Sequence, residues 1–159
     1  MKPSTEEVFK TYGDRLFSIA FTVCQNREDA EDVLQDTFLR YDRAKKEFES
    51  GEHVKAWLIR VAVNRAKDVR ACFWRRSRAD WEEGMAALPF EEEADSRLFQ
   101  AVMRLDEKYR IVIHMFYYED YDIREIAGIL GCPGGTVKSR LSRARALLKT
   151  TLGEEWNND

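Results

Sequence analysis

Apolar residues recur at three- and four-residue spacing over most of the chain. Val8, Phe9, Tyr12, Leu16, Ile19, Ala20 and Val23 predict a first helix from about 5 to 24 with one face buried. Asn26 then offers an N-cap, Glu28 and Asp29 suit a first turn, and Ala30, Val33, Leu34, Phe38 and Tyr41 stripe a second helix. The opposite face of that helix is acidic. Beyond the loop EFESGEH, a third helix from about 53 to 73 is striped by Trp57, Leu58, Val61 and Ala62, with Lys, Arg and Asn elsewhere on its circumference. Trp57 falls on this stripe, which predicts core packing.

Periodicity lapses over residues 75 to 94, which contain Gly84 and Pro89, and the lapse predicts a linker. Ser96 suits the cap of a helix carrying Leu98, Phe99, Val102, Met103 and Leu105; Asp106 restarts a helix with Tyr109, Ile111, Val112, Met115 and Phe116. No stretch alternates with period two for long enough to demand a sheet. The expected fold is therefore all-α, with two small helical domains, 1–75 and 96–153, joined by a flexible acidic linker at 76–95.

The last two helices have a distinctive junction. Asp122 and Glu125 have the spacing of a capping box before DIREIAGIL, which buries Ile123, Ile126, Ala127 and Leu130. Gly131 supplies a turn without a Cβ clash, Pro133 restarts the chain, and Val137, Leu141, Ala144 and Leu148 make the inner stripe of the next helix. This spacing predicts a helix-turn-helix. Its second helix carries Thr136, Lys138, Ser139, Arg140, Arg143 and Arg145, cations and hydroxyls suited to base edges and phosphates in a major groove.

Charge adds a second layer to this picture. The net charge of -3 conceals alternating blocks: acidic at 27–36, basic at 55–78, acidic at 80–95 and basic at 133–150. Two basic blocks on an acidic molecule predict two polyanion-facing surfaces. No apolar run is long enough to span a bilayer and the N-terminus lacks the apolar core of a secretory signal, so a cytoplasmic protein is expected. Cys24, Cys72 and Cys132 form no CxxC pair, and His53 and His114 are the only histidines; neither a disulfide framework nor a structural metal is expected. Cys24 reads as a small buried hydrophobe. Carboxylates arranged as helix faces, with no phosphate-cradling glycine loop, predict no catalytic centre, no cofactor and no small-molecule substrate.

Three segments, NREDAEDVLQDTFLRY, HVKAWLIRVAVNRAKD and DIREIAGILGCPGGTVKSRLSRARALLK, resemble in order and spacing the extracytoplasmic-function RNA polymerase sigma factors of the sigma-70 family. The resemblance covers about 8 to 150. It implies two helical domains, regions 2 and 4, without catalytic activity. It implies that Asp29, Asp32, Gln35, Asp36, Phe38 and Leu39 dock on core RNA polymerase, at the largest-subunit clamp helices, with the flap as a further contact. His53, Val54, Lys55, Arg60, Asn64, Arg65 and Lys67 would bind the melted −10 element. Many family members have an aromatic residue where this chain has Val54, which shifts base capture toward His53, Lys55 and the loop 49–54. Thr136, Lys138, Ser139, Arg140, Arg143 and Arg145 would read the −35 element of promoter DNA. The acidic linker would mimic a nucleic-acid backbone in polymerase channels, and an anti-sigma factor is an expected partner. The alternative reading of the residues is a free-standing dimeric DNA-binding regulator, which would not require the acidic second and basic third helices.

Overall fold

In the computed structural model the described residues are 2–72 and 93–153. The chain divides into two units, Met1–Leu88 and Pro89–Asp159. Among the described residues the first unit has three helices: α1 (Thr5–Cys24), α2 (Arg27–Arg43) and α3 (Gly51–Cys72). Each packs on the other two. Caps set their limits: Ser4 accepts from the Glu7 amide, Asn26 accepts from the Asp29 amide, and Gln25, at φ 56°, ends α1 in the left-handed conformation.

The core of this unit joins Leu16, Ile19, Ala20 and Val23 of α1 to Ala30, Val33 and Tyr41 of α2. From α3 it takes Val54, Leu58, Ile59, Ala62, Val63, Ala66 and Val69. Cys24 is buried there, its thiol 3.8 Å from the Ala66 carbonyl oxygen. The core face of α3 is thus turned from the expected one. Trp57 is half-buried at its edge, with its ring 6.0 Å from Tyr41 and 5.9 Å from Phe48. The Tyr41 hydroxyl donates to the Pro3 carbonyl at 2.6 Å, and burial, then Glu7 and Tyr12, push this phenol above its ordinary range.

The described part of the second unit runs α4 (Glu93–Met103), α5 (Glu107–Ile113), one π turn (His114–Tyr118), α6 (Ile123–Leu130) and α7 (Gly134–Leu152). α4 begins before the expected cap, so Ser96 lies inside it; of the expected linker, residues 76–92 lie outside the described residues. The helices α4, α5 and α6 all pack on α7. The centre is polar as well as apolar. Arg110 is 2% exposed and its Nη1 donates to the Leu105 carbonyl at 2.7 Å, while His114 Nε2 lies 3.2 Å from Glu119 Oε2, both buried.

The junction of α6 and α7 has the geometry its sequence predicts. Asp122 and Glu125 form a reciprocal capping box, at 2.8 and 2.9 Å. Gly131 adopts φ 70° and its amide bonds the Ala127 carbonyl at 2.8 Å; Pro133 caps α7. In α6 the buried residues are Ile126 and Ile129, with Ile123, Ala127 and Leu130 half-buried. In α7 they are Val137, Leu141, Ala144 and Leu148. A Cβ on Gly131 would meet nothing within 4 Å, so substitution there tests backbone conformation alone. Gly131→Ala should cost about 1 kcal/mol, read by denaturant unfolding, and Gly131→Asn less.

Candidate polymerase and nucleic-acid interfaces

The acidic face of α2 meets α1 along a groove of about 810 Å³. Phe9 of α1 and Leu39 of α2 are 53% and 51% exposed, and both line it together with Leu34, Gln35 and Glu31. Phe38 forms its floor, buried beneath Phe9 with ring centroids 5.2 Å apart. At one end, Thr5 donates to Asp42 at 2.7 Å. The groove is therefore apolar at its base and flanked by carboxylates. The apolar spacing placed Phe9 on the buried stripe of α1; in the structure Val8 takes the core position and Phe9, about 100° further round the helix, is left exposed.

The six residues expected to dock on polymerase divide by burial. Asp32, Gln35 and Leu39 are exposed and Asp36 is half-buried. Asp29 is 4% exposed in the first turn of α2, close to the helix cap, and Phe38 is covered; neither offers its side chain to a partner in this structure. Asp29 sits in the first turn, where the positive end of the helix favours an acid. Asp36 Oδ2 lies 3.0 Å from Arg40 Nε and 3.3 Å from Arg65 Nε. This small ion cluster joins α2 to α3.

Helical geometry sorts the residues of α3. At about 100° per residue, His53, Trp57, Arg60, Asn64 and Lys67 fall within about 40° of one line along the helix. That line lies opposite the buried face, and Arg60 and Asn64 are exposed. Arg65 turns away toward Asp36, Lys55 is half-buried near the core side, and Val54 is fully buried at 0%. Of the seven residues expected on nucleic acid, His53, Arg60, Asn64 and Lys67 share this line. Val54 falls outside it because the core of α3 begins there.

At the stripe's N-terminal end the loop is tightly bonded. Ser50 accepts from the His53 amide at 3.2 Å, and the Glu49 amide donates to His53 Nδ1 at 3.0 Å. Phe48 is buried and meets the His53 ring edge-on, with centroids 5.0 Å apart.

On α7 the six expected contacts occupy two flanks. Thr136, Ser139, Arg140 and Arg143 lie on one side of the buried stripe, with Lys138 and Arg145 on the other. Arg145 is occupied within its own unit: its Nε donates to the Tyr117 hydroxyl at 2.7 Å, and its guanidinium lies over the Phe116 and Tyr117 rings. It buttresses α7 against the π turn. Ser139 and Arg143 are exposed, and Lys138 is exposed on its flank.

A capped helix-turn-helix on one unit, with a basic helix and an acidic apolar groove on the other, defines an all-helical DNA-binding protein of the transcription machinery. Residues 8–79 match sigma-70 region 2 and residues 96–148 match sigma-70 region 4. The chain belongs to the extracytoplasmic-function sigma factors of the sigma-70 family. It is similar to the ECF RNA polymerase sigma factor SigM of Mycobacterium tuberculosis, 31% identical over 159 residues that cover 93% of this chain and 76% of the relative. Two solved structures share its fold. One is the sigma factor RpoE in complex with the anti-sigma factor NepR from Bartonella quintana (TM-score 0.66, 27% identity, 92% of this chain and 94% of that one). The other is CnrH in complex with the cytosolic domain of CnrY (TM-score 0.68, 27% identity, 93% and 86%). The family consists of transcription initiation factors, not catalysts in their own right, and this chain is a sigma factor that directs transcription. No helix among the described residues is long and apolar enough to cross a membrane.

Proposed function

We propose that the chain binds core RNA polymerase and, in that complex, recognises −10 and −35 promoter elements and aids promoter melting. The observation that carries this reading is the segregation of surfaces. An acidic, apolar groove and a basic stripe occupy different faces of the first unit, and a second basic surface lies on the helix-turn-helix. A regulator that binds duplex DNA alone has no use for the first two.

In this reading the α1–α2 groove receives a basic helical element of the polymerase, the clamp helices of its largest subunit. Phe9 and Leu39 fill its apolar ridge while Glu31, Asp32 and Asp36 face its cations. Arg60, Asn64 and Lys67 track the melted −10 strand, with phosphates held by the cations and bases met by His53 and Trp57. Thr136, Ser139, Arg140 and Arg143, with Lys138, engage the −35 duplex, and the flap of the polymerase supports the second unit. Residues 1–75 and 96–153 act as separate modules on either side of the acidic segment. An anti-sigma protein, the kind of partner present in the RpoE–NepR complex, restrains the factor by covering the groove.

The reading is tested by titrating the chain into labelled promoter duplex with and without core polymerase. Specific binding should require the core. Comparable affinity for duplex promoter DNA in its absence would favour the free-standing regulator. Arg143→Ala should lower the slope of log affinity against log salt by about 0.9 in the ternary complex, since one exposed phosphate contact is lost. An unchanged slope would place Arg143 away from the backbone.

A further inference from the structure

His53 is more narrowly constrained than an exposed DNA-facing histidine. Three elements fix its ring. The Glu49 backbone amide points at Nδ1 at 3.0 Å, Phe48 packs edge-on against the ring, and Ser50 holds the His53 amide in the first turn of α3. A backbone N–H can only donate, so Nδ1 must present its lone pair. The neutral ring then carries its proton on Nε2. No described residue bonds Nε2, and His53 heads the stripe that continues through Arg60, Asn64 and Lys67.

We propose that His53 is a specificity-determining residue for the melted strand: locked as the Nε2–H tautomer by the 48–50 loop, it donates to the keto oxygen of a thymine or guanine. The inference deepens the reading of α3 as the −10 contact and rests on it. Thymine O4 and guanine O6 are acceptors where cytosine and adenine carry an exocyclic amino group, which only donates. A fixed donor therefore bonds the keto bases and leaves two donors facing each other with the amino bases. An unlocked histidine could change tautomer and meet either kind. The loop bond removes that freedom, so an imidazole that could otherwise tolerate both classes becomes selective.

Two measurements on the full chain test this. The first is the pattern of imidazole nitrogen and ring-proton correlations in NMR spectra of the free protein, at about pH 8.5 where histidine side chains are neutral. His53 should show the Nε2–H tautomer; a protonated Nδ1 would overturn the proposal. The second is transcription with core polymerase from promoters carrying each base at each −10 position, compared between the native chain and His53→Asn. Asparagine Oδ1 can stand in for Nδ1 and keep the Glu49 bond, while its Nδ2 donor falls at the place of Cδ2 and no longer reaches where Nε2 was. The native chain should prefer keto over amino bases at one position by about five- to tenfold, and the variant should lose that preference to within about twofold while keeping the rest of its profile. Specific initiation with an unchanged profile in His53→Asn would sink the inference and leave the sigma reading standing. No specific initiation by the native chain would sink both.

Discussion

Replacing Phe9 and Leu39 together by alanine should weaken association with core polymerase by roughly a thousandfold. The estimate takes each as an interface anchor of about 2 kcal/mol, and about 1.4 kcal/mol is a factor of ten. Stability should change far less. Each side chain is about half exposed in the free protein, so truncation removes only part of its burial, about 1 kcal/mol each. Titration of core polymerase with labelled chain, beside thermal unfolding of the same samples, separates the two effects. Unchanged affinity in a folded double variant would move the docking surface off the α1–α2 groove.

The second large effect is expected at Arg110→Met. Arg110 is buried and its guanidinium satisfies the Leu105 carbonyl where α4 gives way to α5. Methionine fills much of the volume but cannot donate, leaving the Leu105 carbonyl without this donor. Such a loss costs about 1–3 kcal/mol, a large share of what a small helical unit has. Calorimetry of the full chain should show the second unit melting at a markedly lower temperature, with the first unit's transition little moved. Transcription that depends on a −35 element should fall with it. A variant that melts like the native chain would show that Arg110 is held by packing alone.

The two halves of the fold were not equally legible. Local rules with one-residue resolution succeeded: Asn26 caps α2, Asp122 and Glu125 form their capping box, and Gly131 turns in the left-handed region. Each depends on atoms within a few residues of one another. The inner stripe of α7 was equally readable, since Val137, Leu141 and Ala144 each stand between polar neighbours and Leu148 continues their spacing. α3 was harder. Apolar residues occupy too much of its circumference for periodicity to say whether Trp57 or Val54 faces inward, and tertiary packing against α1 and α2 chose Val54.

Polar residues inside the second unit gave no sequence signal. An arginine and a histidine on a helix read as surface residues; only the packing of α4, α5 and the π turn reveals that Arg110 and His114 are enclosed. The π turn itself was invisible. The Glu119 amide bonds the His114 carbonyl five residues back, at 3.2 Å, which shifts the register of the face beyond it. That turn brings Phe116 and Tyr117 under Arg145, whose cation the sequence assigned to DNA.

The candidate surfaces followed the same division. Charge blocks located the acidic and basic helices, but not which members of each block face outward. Asp29 is buried in the first turn of α2, and Arg65 is drawn to Asp36. The groove could not be read at all, because it requires Phe9 and Leu39, on different helices, to be left uncovered together.

The central claim is that promoter specificity resides in the complex of this chain with core polymerase. It is tested most directly by transcription in vitro over a pool of genomic fragments, with purified core polymerase alone and with the chain added. Discrete start sites preceded by a shared pair of −10 and −35 elements should arise only when the chain is present. No specific starts, together with tight binding of the chain alone to duplex operators, would contradict it.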